Sequence, residues 1–167
     1  MTDALLQGLP PRAGPDTRLL VLGSFPGVAS LAACQYYGHP RNQFWPLLAA
    51  LWRQPLTDWP YESRMAWVQQ HGLGLWDVYA RCRRPGSLDA DIRDAELNDL
   101  PGLVTRLPQL ALIAHNGAES ARVMRITRAL GHPVLRLPST SPAHARWPFE
   151  RKLAAWQAAF EQAGLLG

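Results

Sequence analysis

Four short, largely apolar runs separated by segments with helical spacing set the architectures open to this chain. Arg18 to Gly23, Gly74 to Ala80, Leu110 to His115 and Pro133 to Leu137 are strand-length and lack strict alternation, the pattern of strands covered on both faces. Between them, Asn42 to Arg53 places Phe44, Leu47, Leu48 and Leu51 at helical spacing, and Glu62 to His71 reads as a second helix stopped by Gly72. Asp94 to Leu107 is expected to be helical despite Pro101, Gly117 to Leu130 forms the next helix, and Phe149 to Ala163 a closing one. Arg81 to Asp91, with Pro85-Gly86, reads as a polar loop. Strands alternating with helices build βαβ units, so the expected fold class is α/β, a three-layer α/β/α sandwich around a parallel sheet.

The 167 residues fit one domain, with residues 1–16 expected as a loosely held N-terminal segment and no repeat or linker after it. No apolar run approaches the ~20 residues of a membrane span, so no membrane partner is expected. The start of the chain, with acidic Asp3 and no basic region, does not resemble a signal peptide, and a cytoplasmic monomer is expected. Cys34 and Cys82 are too few to hold an ordinary iron–sulfur cluster. The five histidines lack zinc-site spacing, so neither metal nor cofactor is implied. The net charge is +4, and of 17 basic residues only Lys152 is lysine. Arginine pairs with phosphate and stacks on bases, so the charge permits a DNA partner; a GC-rich genome would also favour arginine.

In a parallel sheet the loops at the strand carboxyl ends share one edge. Ser24 to Arg41, the loop beginning near Trp76-Asp77, Asn116-Gly117 and Pro138 to Ala145 should therefore converge on one crevice. The first holds most of the polar and aromatic residues: Gly23-Ser24-Phe25-Pro26-Gly27, then Tyr36-Tyr37-Gly38-His39-Pro40-Arg41-Asn42-Gln43-Phe44-Trp45.

These two stretches, with the Ser139-Thr140-Ser141-Pro142-Ala143 loop, resemble the uracil-DNA glycosylase superfamily, and within it the hypoxanthine-DNA (deoxyinosine) glycosylase branch. The resemblance runs from about Arg18 to Phe160 and implies a four-stranded parallel sheet between helices. It also implies DNA containing deaminated bases as partner, and base removal by hydrolysis to leave an abasic site. Phe25 stands where mismatch-specific uracil enzymes carry a water-positioning asparagine, and Ser139 where classical uracil enzymes carry a histidine. In the hypoxanthine branch the essential asparagine falls on Asn42.

An amide cannot act as a general base, but it can accept a water proton and hold that water in line. Asn42 is thus the candidate catalytic residue; it is equally suited to cap the helix that follows. The resemblance makes Tyr37 the platform on which a flipped base stacks, with Tyr36 in the core or wall and His39 either pinning the loop or acting directly. Asn116 is a candidate for reading the base edge or for making a strand-to-helix turn. Ser24 and Phe25 are expected to reach the base through their backbones, and Asp77 is a further base-binding candidate whose role the sequence leaves open. Ser139, Thr140 and Ser141 are expected to hold DNA phosphates. The resemblance puts Ala143, with His144 or Arg146, where relatives insert a wedge into the duplex. Lys152 is expected to lie away from the converging loops, which favours water over an amine as nucleophile and hence no strand cleavage. Two other functions suit the same residues: a G:U/G:T mismatch-specific uracil or thymine glycosylase, and a catalytically silent module that binds damaged DNA.

Overall fold

The computed structural model describes residues 4–166. The elements run β1 (Leu6–Gln7), β2 (Leu19–Gly23), α1 (Val28–Ala33), α2 (Phe44–Trp52), α3 (Tyr61–Gln70), β3 (Leu73–Asp77), β4 (Tyr79–Arg83), β5 (Arg93–Leu97), α4 (Leu100–Val104), β6 (Leu112–Asn116), α5 (Ala118–Ala121), α6 (Met124–Arg128), β7 (Val134–Leu137) and α7 (Phe149–Gln162). Strands β3, β2, β6 and β7 lie side by side in that order, all parallel. The four expected strands are therefore the four strands of the parallel sheet.

Side-chain alternation explains why these strands are largely apolar. Leu19 and Val21 of β2, with Leu73, Leu75, Leu112 and Ala114, face α2, α3 and α7, where Phe44, Leu48, Met65, Trp156 and Phe160 complete one core. Leu20, Leu22, Trp76 and Ile113 point the opposite way, onto Val78, Cys82, Leu100, Leu103 and Leu107. Each fully buried Leu or Phe contributes about 1.5–3 kcal/mol, so a strand wetted on one face would forfeit half its apolar contribution.

Three expectations give way. The stretch Gly74 to Ala80 breaks at Val78, where the chain leaves the parallel sheet and continues as β4 to Arg83. That strand is the centre of a small antiparallel sheet in the order β1-β4-β5. Arg93–Leu97, expected within a helix, is β5, tied to β4 by Arg81–Glu96 and Arg83–Asp94 ion pairs. The helix starts only at Leu100, where Asp99 accepts the Gly102 N–H (3.0 Å) and Pro101 occupies the first turn, which needs no N–H from it. The long helix expected over Gly117 to Leu130 is instead α5 and α6. The hydroxyls of Ser120 and Thr127, on either side of the break, both fasten to the buried His115 ring at 2.8 Å.

The segment expected to be loose is tied down over residues 4–16. β1 pairs with β4, Arg12 bridges to Leu75, and the carbonyls of Leu9 and Pro10 accept hydrogen bonds from Trp76 Nε1 (3.2 Å) and the Tyr36 hydroxyl (2.6 Å).

Candidate active site

Strand order reverses between β2 and β6: the chain passes from β2 outward to β3 and returns on the other side to β6. At such a switch point the loops following the two central strands diverge and leave a crevice at their carboxyl ends. A cavity of about 500 Å³ lies there. Its lining comes from all four loops expected to converge, with Gly23 to Ser30, Tyr36, Tyr37, His39, Asn42, Asp77, Asn116, and Ser139 to His144 all contributing.

Tyr37 sits in the left-handed backbone region at φ 56°, an uncommon conformation for a residue with a side chain. Its ring stacks on Phe44, with centroids 4.0 Å apart and planes 18° from parallel. Phe44 is fully buried at the start of α2, so the helix supports the Tyr37 ring from behind. Tyr36 is core, 4% exposed, its hydroxyl held by Pro10. Asn42 lines the cavity just before Gln43, the N-cap of α2, and its Oδ1 accepts the N–H of Phe44, the first helical residue, at 2.9 Å. That bond fixes which way the amide faces, and Nδ2 has no hydrogen-bond partner within the described residues. His39 Nδ1 accepts the Arg41 N–H (3.0 Å), a bond that pins the loop and leaves the neutral ring's proton on Nε2.

Asn116, the last residue of β6, is locked on three sides. Its Nδ2 donates to the Tyr37 hydroxyl (3.3 Å) and to Thr140 Oγ1 (3.0 Å), while Oδ1 accepts the Thr140 N–H (3.1 Å). Both amide hydrogens are engaged, and one acceptor direction on Oδ1 remains. This arrangement corrects the assignment of Thr140 to DNA phosphates. The residue is 1% exposed, its hydroxyl oxygen accepts from Asn116 Nδ2, its N–H donates to Asn116 Oδ1, and its carbonyl accepts from the Gln43 N–H (2.9 Å). Ser139 and Ser141 lie in the cavity wall, where their hydroxyls accept the N–H groups of Ser141 (3.1 Å) and Ala143 (3.2 Å). Ala143 and Arg146 are exposed; His144 is half-buried, with Nδ1 unpartnered.

The sequence reading passed over the connection between β4 and β5, which folds back to form one wall. Ser87, Leu88 and Asp89 line the cavity, and the Ser24 hydroxyl donates to Asp89 Oδ1 at 2.6 Å. Ser24 thus contributes through its side chain to a neighbouring carboxylate, while its carbonyl is taken by the Tyr79 N–H (3.1 Å). Arg84 is buried, spans this wall by donating to the carbonyls of Pro26 (2.7 Å) and Gly86, and lies over the Phe25 ring at 5.3 Å. A buried Arg in a Pro-Gly-Ser-x-Asp turn looks like an ordinary polar loop until the fold brings it onto the first motif.

Asp77 pairs in register with Gly23 and is 5% exposed. A Cβ on Gly23 would lie 2.5 Å from Asp77 Oδ1 and 3.3 Å from the Tyr37 hydroxyl, so only glycine permits both groups to approach. Gly23→Ala is expected to displace one of them and to lower the activity of the site about 100-fold while the melting temperature moves little. Single-turnover kinetics beside a thermal melt checks this, and unchanged activity would show that neither group matters.

Lys152 departs most from expectation. It is 1% exposed and lies beneath the last loop, its Nζ donating to the carbonyl of His144 (2.6 Å) and to Gln43 Oε1 (2.9 Å). It therefore ties α7 to the converging loops instead of lying away from them. Burial pushes its ammonium below the usual lysine range. It is not in the cavity lining.

Residues 10–162 match the family model of the Uracil DNA glycosylase superfamily. The chain is 38% identical over 156 residues to a protein named hypoxanthine DNA glycosylase from Methanosarcina barkeri, covering 93% of this chain and 98% of that one. It is 36% identical over 154 residues to the protein of the same name from Methanosarcina acetivorans, covering 92% and 97%. A G/U mismatch-specific uracil DNA glycosylase from Schizosaccharomyces pombe is 30% identical over 97 residues, 58% of this chain and 29% of that one. The solution structure of a putative uracil DNA glycosylase from Methanosarcina acetivorans superposes with a TM-score of 0.86 at 34% identity, covering 96% of this chain and 99% of that one.

Proposed function

The chain belongs to the Uracil DNA glycosylase superfamily, and from that premise we propose that it is a monofunctional DNA glycosylase acting on deaminated bases, hypoxanthine first and uracil second. The observation that carries the choice of substrate is Asn116, an amide locked so that only its acceptor side remains available. Hypoxanthine presents N1–H and uracil N3–H at the position where adenine and cytosine present bare acceptor nitrogens. An acceptor fixed in a dry cavity therefore favours the deaminated base, because the undeaminated one would leave two lone pairs facing each other. The relatives named hypoxanthine DNA glycosylase put the purine first.

A flipped base costs a few kcal/mol of lost stacking, of which an aromatic platform returns about 1–3 kcal/mol. Tyr37, backed by Phe44, fills that role. Asn42 holds the attacking water through the acceptor direction of Oδ1 left by the Phe44 bond, with Nδ2 as an adjacent donor. The water oxygen bonds to C1′ as the C1′–N bond breaks toward the base. The only lysine donates to two acceptors beneath the loop, outside the cavity lining, which supports water over an amine as nucleophile.

Duplexes containing deoxyinosine, deoxyuridine, thymine opposite guanine, or no lesion test the assignment, with strand breaks read before and after alkali. Deoxyinosine is expected to react fastest, deoxyuridine more slowly and the intact duplex not at all, with breaks appearing only after alkali. Binding to damaged duplex with no base released from any member would instead favour the silent module.

A further inference from the structure

Asp77 is the one buried carboxyl of the cavity for which the fold gives no structural reason. Its Oδ2 is sealed from solvent and, among the described residues, has neither a hydrogen-bond partner nor an ion pair. The local structure uses only its backbone, whose carbonyl accepts from Asn98 Nδ2 at 2.8 Å. Burying an unpaired carboxylate costs several kcal/mol, and a group retained at such a cost inside a cleft is a functional candidate.

We propose that Asp77 is the general acid of this site, donating its proton to N7 of the departing purine. This deepens the glycosylase reading and rests on it. N7 is the most basic ring nitrogen of neutral hypoxanthine. As the C1′–N9 bond breaks, its electron pair passes into the purine ring, the Asp77 proton moves to N7, and hypoxanthine leaves neutral. The attacking water, now bonded to C1′, gives up a proton that restores the acid.

The surrounding groups divide Asp77 and Asp89, two of the three carboxyls that line the cavity, into different roles. Burial raises Asp89 as well, but the Ser24 hydroxyl that its Oδ1 accepts works in the opposite sense; among the described residues Asp77 Oδ2 receives no such donor. Burial first, and the neighbouring Asp89 charge second, push Asp77 up to about 7, with Arg84 acting in the opposite sense. Two carboxyls whose environments separate them in this way are a recurring acid and electrostatic pair. The other titratable groups facing the cavity are Tyr36, Tyr37 and His39 on the first loop, Glu119 on α5 and His144 on the last loop. Burial raises both tyrosines, so neither ionises in the range where Asp77 does.

The sign of the pH effect follows from the raised value. The acid is available below about pH 7 and is lost above it, so deoxyinosine cleavage should fall as pH rises through that value. If Asp77 worked instead as a carboxylate acceptor, cleavage would rise over the same range.

The test is single-turnover cleavage by wild type and Asp77→Asn on deoxyinosine and on 7-deaza-deoxyinosine, across pH 5.5 to about 9. Asparagine keeps the shape and a donor but cannot transfer a proton. On deoxyinosine the variant should be slower by about 100-fold or more, with the alkaline fall removed. On the 7-deaza substrate, which has no acceptor at that position, wild type and variant should cleave at the same low rate. An equal wild-type-to-variant ratio on both substrates would overturn the proposal, as would a rate that is flat or rises with pH. In either case wild-type deoxyinosine cleavage leaves the glycosylase reading standing. A wild type that releases no hypoxanthine would overturn both.

Discussion

Phe44→Ala is expected to lower the unfolding free energy by about 3–5 kcal/mol, the largest stability change of any substitution near the site. Phe44 is fully buried, stacks on Tyr37, and meets Trp45 and Trp156 edge-on at 5.0 and 5.9 Å. Truncation removes one of the largest side chains of that core and leaves a cavity beside α7. It also frees Tyr37, whose left-handed backbone conformation is unfavourable by itself and is held in place by its packing. Phe44→Leu separates the two effects. It keeps most of the volume, costing under about 1.5 kcal/mol, but deprives Tyr37 of an aromatic contact worth about 0.5–1.5 kcal/mol. Urea unfolding should therefore rank wild type, leucine and alanine in falling order, while release of hypoxanthine from a deoxyinosine duplex drops for both variants. Full activity in Phe44→Leu would mean that the stack is not what orients Tyr37.

The parallel sheet could be read in the sequence because β2, β3 and β6 are buried at every position, which leaves short apolar runs; edge strand β7 exposes Arg136 and keeps its apolar residues at Val134, Leu135 and Leu137. The same holds for the convergence of loops, which follows from parallel strands and short connections. The small antiparallel sheet was not legible. β5, Arg-Asp-Ala-Glu-Leu, is exposed at every position and carries no apolar alternation; it is a strand because β4 lies beside it and the charges pair across. Helix-forming Ala, Glu and Leu made the segment look helical, and the tertiary contact overrode that propensity.

The sequence places Asn42 just before α2 and Asn116 at the end of β6, and the resemblance singles out Tyr37 in the loop between α1 and α2; all three line the cavity. The partners that give them their chemistry are distant in sequence. Thr140 locks Asn116 across 24 residues, Asp89 reaches Ser24 across 65, and Lys152 reaches Gln43 across 109. Thr140 looks like a phosphate contact in a Ser/Pro-rich loop, and only its burial and its bonds to Asn116 show that it orients that amide. Lys152 occupies the buried face of a helix otherwise covered by Trp156, Ala159 and Phe160, and no local signal marks a lysine there as a fastener.

The central claim is that Asn42 places water against a base held in this cavity, and removing its amide is the second large effect expected. The cap bond to Phe44 costs about 1 kcal/mol to lose, which the fold can absorb, whereas loss of the group that positions the nucleophile removes about 10³-fold in rate. Asn42→Asp is an informative companion, because a carboxylate keeps the cap acceptor but presents no N–H. The most direct test is single-turnover release of hypoxanthine from a deoxyinosine duplex by wild type and Asn42→Ala, with binding of the same duplex measured in parallel. The predicted result is binding within about threefold of wild type and release slower by about 10³-fold. Release at the wild-type rate by a folded, DNA-binding Asn42→Ala protein would contradict the account.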